Sequence, residues 1–290
     1  MQRIKNEYLS IGVQPVGAEM CSILNHENNL EYIWQADPTI WNSHSPNLFP
    51  VIGGLKNGVF NYEGKEYAMP RHGFVRHNKN IQLKEKNDSS LIFELFNSPE
   101  TLKIYPFKFH FEIGFFLDHK TLSITHKVSN TDSKPLYFSL GGHPAFNVPL
   151  FKGETYEDHF LEFDRKMDLN TFLLSDDGLV TNDTSQVVKD DNRIKLHKDL
   201  FAKDALIFKN IPSKKVALKS RISGEILSVE YKDFTNLGVW AKPGAPYVCI
   251  EPWLGIADGV NTTGDIKTKE GIIELMPSQD FSASYTITIA

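Results

Sequence analysis

The sequence predicts an all-β protein, a large antiparallel β-sandwich with few and short helices. Of the 290 residues, 20 are Phe and 10 are Tyr, and both residue types favour strands. Apolar and polar residues alternate in many short segments, which is the pattern of half-buried strands. No window of about 12 residues or more shows the periodicity of an amphipathic helix.

Pairs of alternating segments separated by turn residues predict antiparallel hairpins. The clearest pair is Phe107 to Leu117 and Leu122 to Val128, which a short polar stretch separates. The other predicted strands and hairpins are Gly58 to Met69 with a turn at Glu63-Gly64, Val216 to Tyr231 with a turn near Ser223-Gly224, and the C-terminal segment Phe281 to Ile289.

The stretch from Ser175 to Lys195 is rich in Asp and Asn and carries one turn signal, Asp177-Gly178. This composition predicts a long surface connection. No internal repeat and no low-complexity tract interrupt the chain. We therefore expect one domain over residues 1–290.

The formal net charge is −5, and acidic and basic residues are mixed along the chain. This distribution argues against nucleic acid or an anionic membrane as a partner. No apolar run reaches the roughly 18 residues that span a bilayer, and Met1 to Ser10 lacks the apolar core of a signal peptide. We expect a cytoplasmic protein in which Cys21 and Cys249 are buried, reduced thiols. The oligomeric state stays open.

Three short segments combine Gly or Pro with ionisable residues where the strand pattern breaks: Pro70 to Phe74, Gly141 to Asn147 and Cys249 to Trp253. Loops of this kind at a sheet edge often bind ligands. His143 precedes a proline that restricts its backbone, and this position suits a general acid. Glu251 ends an apolar run, where its carboxylate is either a desolvated functional group or a strand-end acceptor for backbone amides.

The same segments resemble, in order, the motifs of the aldose 1-epimerase family, and in particular its LacX-like branch. The shared features cover nearly the whole chain: Phe49 to Gly53, Arg71 to Phe74, Tyr105 to Phe107, Gly142 to Asn147 and Glu251 to Trp253. The resemblance implies the galactose mutarotase-like supersandwich and a metal-independent, cofactor-free isomerase of small-molecule sugars. It also implies that His143 is the catalytic acid, Glu251 the catalytic base and His72 the second active-site histidine.

One predicted sugar-binding position departs from the family pattern, and the family motifs do not specify a second one. The family usually has an arginine at the position of Gly54, and Arg71 is our candidate to supply the missing guanidinium. For the acidic residue that orients sugar hydroxyls we choose Asp204, with a strand-start cap as the alternative role. Trp240, Trp253 and Phe74 are candidate sugar-stacking surfaces, or else core residues.

Several other functions stay open at this stage. Arg71, Arg76 and Lys242 could form an anion pocket, which would make the substrate a hexose 6-phosphate, although we favour a free aldohexose. A carbohydrate-binding module would not need an acid and a base. A glycoside hydrolase needs two carboxylates at the site, and the motifs supply only one. His72 and His77 have a spacing found among metal ligands but no third ligand beside them, so we expect no metal site.

Overall fold

Strands dominate the computed structural model, which describes residues 1–290. Every pairing between the strands is antiparallel. In chain order the strands are β1 (Gln2–Lys5), β2 (Leu9–Gln14), β3 (Glu19–Asn25), β4 (Leu30–Glu31), β5 (Asn47–Leu48), β6 (Val59–Tyr62), β7 (Lys65–Ala68), β8 (Gln82–Lys86), β9 (Ser90–Phe96), β10 (Phe109–Asp118), β11 (Thr121–Asn130), β12 (Leu136–Phe138), β13 (Leu140–Gly142), β14 (Ala145–Asn147), β15 (His159–Leu174), β16 (Val180–Lys195), β17 (Leu206–Phe208), β18 (Lys215–Ser220), β19 (Gly224–Glu230), β20 (Asn236–Trp240), β21 (Tyr247–Leu254), β22 (Ile273–Leu275) and β23 (Asp280–Ile289).

Helices are few and short, as the sequence predicts. The α-helix α1 (Pro99–Ile104) begins with a capping box, in which the Ser98 hydroxyl accepts the Thr101 N–H. The remaining helical segments are 3₁₀ turns: Val16–Ala18, Lys56–Gly58, Val75–His77, Tyr156–Asp158 and Ile266–Thr268. None of these helices has the length and apolar character needed to cross a membrane.

One sheet of 15 strands forms most of the molecule. Its strands follow the order β5-β13-β21-β20-β17-β15-β18-β19-β23-β11-β10-β9-β8, with β14 paired to β21 and β16 paired to β15. The N-terminal strands β1 to β4 form a separate sheet, and the pairs β12-β22 and β6-β7 are small additional sheets. The largest cluster of buried apolar side chains has 70 members and extends from Ile4 to Ile289.

The predicted hairpins are confirmed. β10 pairs with β11 from Phe109↔Asn130 to Asp118↔Thr121, and its apolar residues other than Phe116 are buried because every second side chain faces the core. β6 and β7 join at the Glu63-Gly64 turn, and β18 and β19 join next to Ser223. The C-terminal alternation forms β23, which pairs with both β11 and β19.

The stretch from Ser175 to Lys195 is not a surface connection, so that prediction is wrong. Most of it is β16, a strand of 16 residues. It forms an antiparallel hairpin with β15, which has the same length. Only Val180, Val188 and Ile194 of β16 are buried, because most of the strand exposes both faces to solvent. Without a buried face, the strand lacks the alternation that would reveal it, and four register shifts interrupt the pairing further.

A buried ion pair anchors the segment that follows β21. The Lys269 ammonium donates to the Asp258 carboxylate and to the Ile256 carbonyl, each at 2.8 Å, and both charged side chains are 3% exposed. The Asp258 N–H donates to the Gly54 carbonyl at 2.9 Å. A side chain at Gly53 would collide with Ala257, so the glycine permits this close packing. The ion pair therefore supports the loop that contains Gly53 and Gly54.

Replacing Lys269 by Met should lower the free energy of unfolding by about 3–5 kcal/mol, because the Asp258 carboxylate would stay buried without its counter-charge. Chemical denaturation measures this loss. The matched control is Lys209→Met, which removes a lysine paired with the exposed Glu270 and should change stability by about 1 kcal/mol or less. Equal losses in the two variants would contradict the anchoring role of the buried pair.

Candidate active site

A cavity of about 330 Å³ opens beside the end of β21, a volume within the range of small-molecule sites. It combines two histidines, two arginines, two carboxylates and three tryptophans. The residues that line it are Trp41, Arg71, His72, Arg76, His143, Asp204, Ala205, Trp240, Glu251 and Trp253. All five predicted site residues are among them.

The register of β21 with its neighbours places His143 opposite Glu251. β21 pairs with β13 at Leu254 and Trp253 and with β14 from Cys249 to Tyr247, and the register is the same for both, so β13 and β14 lie along the same edge. His143 and Pro144 form a break between the two strands: Pro144 has no N–H to donate, and its carbonyl accepts the Ile250 N–H at 3.2 Å. The backbone of this break is held from the other side, since the His143 N–H donates to the Pro46 carbonyl at 3.1 Å.

The His143 Nε2 and the Glu251 Oε2 lie 3.1 Å apart. The two side chains are 8% and 2% exposed, so both reach the cavity from a largely dry environment. Burial raises the pKa of the Glu251 carboxyl well above its usual value, which the positive charges of Arg71 and Arg76 partly oppose. Burial also lowers the pKa of His143, to about 3, and Arg76 lowers it further. Both groups therefore favour their neutral forms in the empty cavity.

His72 is held in one orientation by the loop around Gly53. The Gly53 N–H donates to the His72 Nδ1 at 3.1 Å, and the His72 N–H donates to the Gly53 carbonyl at 2.8 Å. Because Nδ1 accepts, the neutral ring carries its proton on Nε2 and can donate it to a ligand. Burial holds the pKa of His72 well below its usual value, so the ring stays neutral. Its ring centroid lies 5.7 Å from that of His143.

The packing of Gly73 explains why two separate sequence motifs meet at this loop. Gly73 has φ +73°, and a side chain there would collide with the carbonyl of Phe49. The Phe74 N–H donates to that same carbonyl at 3.1 Å. Glycine is therefore required for the segment from Arg71 to Phe74 to lie against the segment from Phe49 to Gly53.

Two arginines line the cavity, and neither forms an ion pair with a carboxylate. The Arg71 guanidinium lies beside Gly178 at the tip of the β15–β16 hairpin, where a side chain would collide with it. Arg76 is half-buried and donates to the Ser43 hydroxyl at 3.3 Å, while its Nε has no partner. Lys242, which the sequence grouped with these arginines, lies outside the cavity and donates to the Ile40 carbonyl.

Asp204 lies in the turn before β17 and combines the two roles that the sequence left open. Its Oδ1 accepts the Ala205 N–H at 2.7 Å, which is a local cap, and its side chain also lines the cavity. Gly54 carries no guanidinium, and a side chain there would meet no atom within 4 Å. The family usually has an arginine at the position of Gly54, which this chain lacks. Arg71 is one of the two cavity arginines that can supply a guanidinium in its place.

Tryptophans form one wall of the cavity. Trp41 stacks on His143 with ring centroids 5.1 Å apart, and Trp240 meets His143 edge-on at 6.0 Å. Trp253 also lines the cavity, as the sequence suggested. Phe74 does not, because its ring packs in the core against Phe49 and Phe109. Trp41 was missed, since a single aromatic residue in a polar loop gives no sequence signal.

Three donor groups suited to a metal ion meet beside the cavity. A ligand atom of His143, one of Cys249 and one of Glu251 lie within 4.8 Å of one another, and all three residues are buried. Burial raises the pKa of the Cys249 thiol well above its usual value. A second group, Glu94, His110 and Glu112, lies at the surface of the sheet. His77, which the sequence considered with His72, belongs to neither group.

The arrangement defines a class of protein: an all-β protein whose cavity carries a buried histidine–glutamate pair, further polar and charged side chains and an aromatic wall. Comparison with known proteins gives its family. Residues 1–258 match the family model described as Aldose 1-epimerase. The chain belongs to the aldose 1-epimerase family, as the motifs predicted.

Similar proteins support this assignment over the full length. The chain is 33% identical over 295 aligned positions to "Protein LacX, plasmid" of Lactococcus lactis subsp. lactis, which covers 99% of this chain and 98% of that protein. A galactose mutarotase related enzyme from Lactobacillus acidophilus has a TM-score of 0.94 and 34% identity, covering 100% of this chain and 97% of the other.

A galactose mutarotase-like protein from Lactobacillus casei ATCC 334 also has a TM-score of 0.94, with 30% identity and full coverage of both chains. The predicted galactose mutarotase-like β-sandwich is thus confirmed.

Arg71→Gln should raise the pKa of Glu251 further, because it removes the leading positive charge that stabilises the carboxylate. At a given pH near neutrality, a larger fraction of Glu251 is then protonated. Isotope-edited infrared titration of glutamate-labelled protein measures this, with Glu251→Gln identifying the band. Arg165→Gln, which removes an exposed arginine paired with Asp164, is the control and should leave the titration unchanged. An unshifted Glu251 band in Arg71→Gln would contradict the coupling.

Proposed function

We propose that the chain is an aldose 1-epimerase that interconverts the α and β anomers of an aldohexose by opening and reclosing the ring. The observation that carries the proposal is the pair of Glu251 and His143, 3.1 Å apart and both facing one small cavity. The family and the mutarotase-like fold support it. Both cysteines are free, buried thiols, which fits the cytoplasmic location that we include in the proposal.

Mutarotation needs a base for the proton of the anomeric hydroxyl and an acid for the ring oxygen. Both oxygens are bonded to C1, so a base and an acid only 3.1 Å apart can reach them together. We assign the base to Glu251 and the acid to His143. Ring opening gives the aldehyde, rotation about the C1–C2 bond presents its other face, and reclosure returns both protons with the two roles exchanged.

The residues around the pair hold the sugar. His72 donates its Nε2 proton to a sugar oxygen, Asp204 accepts from hydroxyl groups, and the Arg71 guanidinium donates to a pair of neighbouring hydroxyls. Trp41 and Trp240 offer apolar faces for the C–H side of the ring. Positioned proton transfer contributes about 100-fold to 10,000-fold, and fixed orientation adds to that. The mechanism requires no metal and no cofactor.

A hexose 6-phosphate is the second candidate substrate, and one observation favours it. Arg71 and Arg76 line the cavity without a carboxylate partner, and guanidinium groups bind phosphate through paired hydrogen bonds. Asp204 adds negative charge to the same cavity, which disfavours a dianion. The chemistry at C1 is the same for both substrates, so we keep the free aldohexose as the first candidate.

Anomer exchange measured by NMR on free and 6-phosphorylated hexoses tests the function and separates the substrates. We expect faster exchange of a free aldohexose, with the rate unchanged after dialysis against a chelator. A strong preference for the 6-phosphate would assign the second substrate. Sugar binding without any exchange would instead assign a carbohydrate-binding protein. Loss of activity on chelation, restored by a metal, would contradict the acid–base mechanism.

Glu251→Gln should lower the exchange rate by about two to four decades, because the amide keeps the shape of the carboxylate but cannot accept the proton. His143→Asn should give a comparable loss. The double variant should lose much less than the product of the two single losses, since both groups serve one proton exchange.

Thermal unfolding of the same samples is the control for structure. A Glu251 that only supports the strand would lower the melting temperature while activity per folded molecule stayed near that of the wild type. A Glu251→Gln rate within about threefold of the wild type would remove Glu251 from the mechanism, given the contribution expected of a general base.

A further inference from the structure

Cys249 lies directly behind the proton-exchanging pair and has no role in the proposed reaction. It precedes Glu251 by two residues in β21, so both side chains project from the same face of the strand. Its side chain is fully buried and does not line the cavity. Yet its sulfur lies within 4.8 Å of donor atoms of His143 and Glu251.

The spacing of these three donor atoms fits a single metal ion. Atoms that lie no more than 4.8 Å apart can be no farther than about 2.8 Å from a common centre, while zinc binds nitrogen and oxygen at about 2.0–2.2 Å and sulfur at about 2.3 Å. Side-chain movements of about 1 Å or less therefore bring all three into coordination distance. The His143 Nε2 and the Glu251 Oε2 are 3.1 Å apart, a distance that two ligands of a tetrahedral metal ion can have.

The chemistry of the donors and their missing partners also point to a cation. A thiolate, an imidazole and a carboxylate form the nitrogen, sulfur and oxygen set that zinc prefers. The Glu251 Oε2 is buried and, although it lies 3.1 Å from the His143 Nε2, no contact of this oxygen has the geometry of a hydrogen bond. A carboxylate and a thiolate together neutralise a divalent ion, which limits its repulsion from Arg71 and Arg76.

We propose that His143, Cys249 and Glu251 form a binding site for a thiophilic divalent cation of the zinc class, and that this cation inhibits the enzyme. On binding, the Cys249 thiol and the Glu251 carboxyl each release a proton to solvent, and the thiolate and the carboxylate become ligands; no oxidation or reduction occurs. The fourth position faces the cavity and is open to water. The bound ion occupies the lone pairs with which Glu251 and His143 exchange protons, so metal binding and sugar turnover exclude each other.

The second donor group does not compete as a specific site. Glu94, His110 and Glu112 are half-buried on the outer face of the sheet, and the Lys84 ammonium already bridges Glu112 and Glu94. That group lacks sulfur, so its ligands suit harder cations. Of the two groups, only the buried one contains sulfur, so a spectroscopic band from a metal–sulfur bond distinguishes it from the surface group.

Cobalt(II) titration of the purified chain detects metal binding at the site without a measurement of enzyme activity. Cobalt bound through a thiolate absorbs in the near ultraviolet by sulfur-to-metal charge transfer, and we expect this band in the wild type. Cys249→Ser should abolish it. Cys21→Ser is the matched control, because Cys21 is the other buried free thiol, and its band should match the wild type. A missing wild-type band, or a band retained in Cys249→Ser, overturns the proposal.

Zinc inhibition of anomer exchange gives the second measurement, with each variant compared to its own zinc-free rate. Zinc should inhibit competitively with sugar, and Cys249→Ser should raise the half-inhibiting concentration by about 100-fold, at least the upper end of the loss typical of an outer-shell partner. Cys21→Ser should be inhibited like the wild type. Equal inhibition of Cys249→Ser and the wild type overturns the proposal. If the chain exchanges no anomers at all, the proposed function fails, and the cobalt spectrum still decides the metal site.

Discussion

The site depends on the antiparallel register that β21 keeps across a gap in its neighbouring strand. β21 runs unbroken through Glu251, while its neighbour on one edge is split into β13 and β14. Pro144 cannot donate to the ladder, and the His143 N–H donates instead to the loop before β5. The register is the same on both sides of the gap, from Gly141↔Trp253 to Ala145↔Cys249. His143 therefore lies opposite Glu251, where directly opposite side chains share one face of the sheet.

Burial then determines how this pair holds its proton. With Glu251 protonated and His143 neutral, the pair has the same net charge as the carboxylate with an imidazolium, and the two forms differ by one proton moved across 3.1 Å. Burial favours the neutral form. Arg71 and Arg76 favour the carboxylate but also disfavour the imidazolium, so they do not reverse this preference. Under the proposed function, a sugar hydroxyl and the ring oxygen at the pair shift this proton during the reaction.

The sequence predicts the parts of the fold and site that leave a local pattern. β10, β11 and β23 are visible because a core face and a solvent face alternate along each strand. Most residues of β16 are exposed on both faces, so its sequence shows no such alternation and predicts a loop. His72, His143 and Glu251 stand where glycine or proline interrupts apolar strands, and the family motifs single them out. The cavity position of Trp41 depends on contacts with distant residues, which no local pattern encodes.

The proposed catalytic pair and the other cavity residues come from different parts of the chain. Glu251 belongs to β21 and His143 lies between β13 and β14, which pair with β21, whereas Trp41, Arg71 and Asp204 lie in connections between strands. Connections tolerate substitution more readily than paired, buried strands do. Under the proposed function, changes at Arg71 or at the hairpin tip beside it therefore alter which sugar is bound while the proton exchange at C1 stays the same. The choice between a free and a phosphorylated sugar then rests on Arg71 and Arg76, the two guanidinium groups at the cavity.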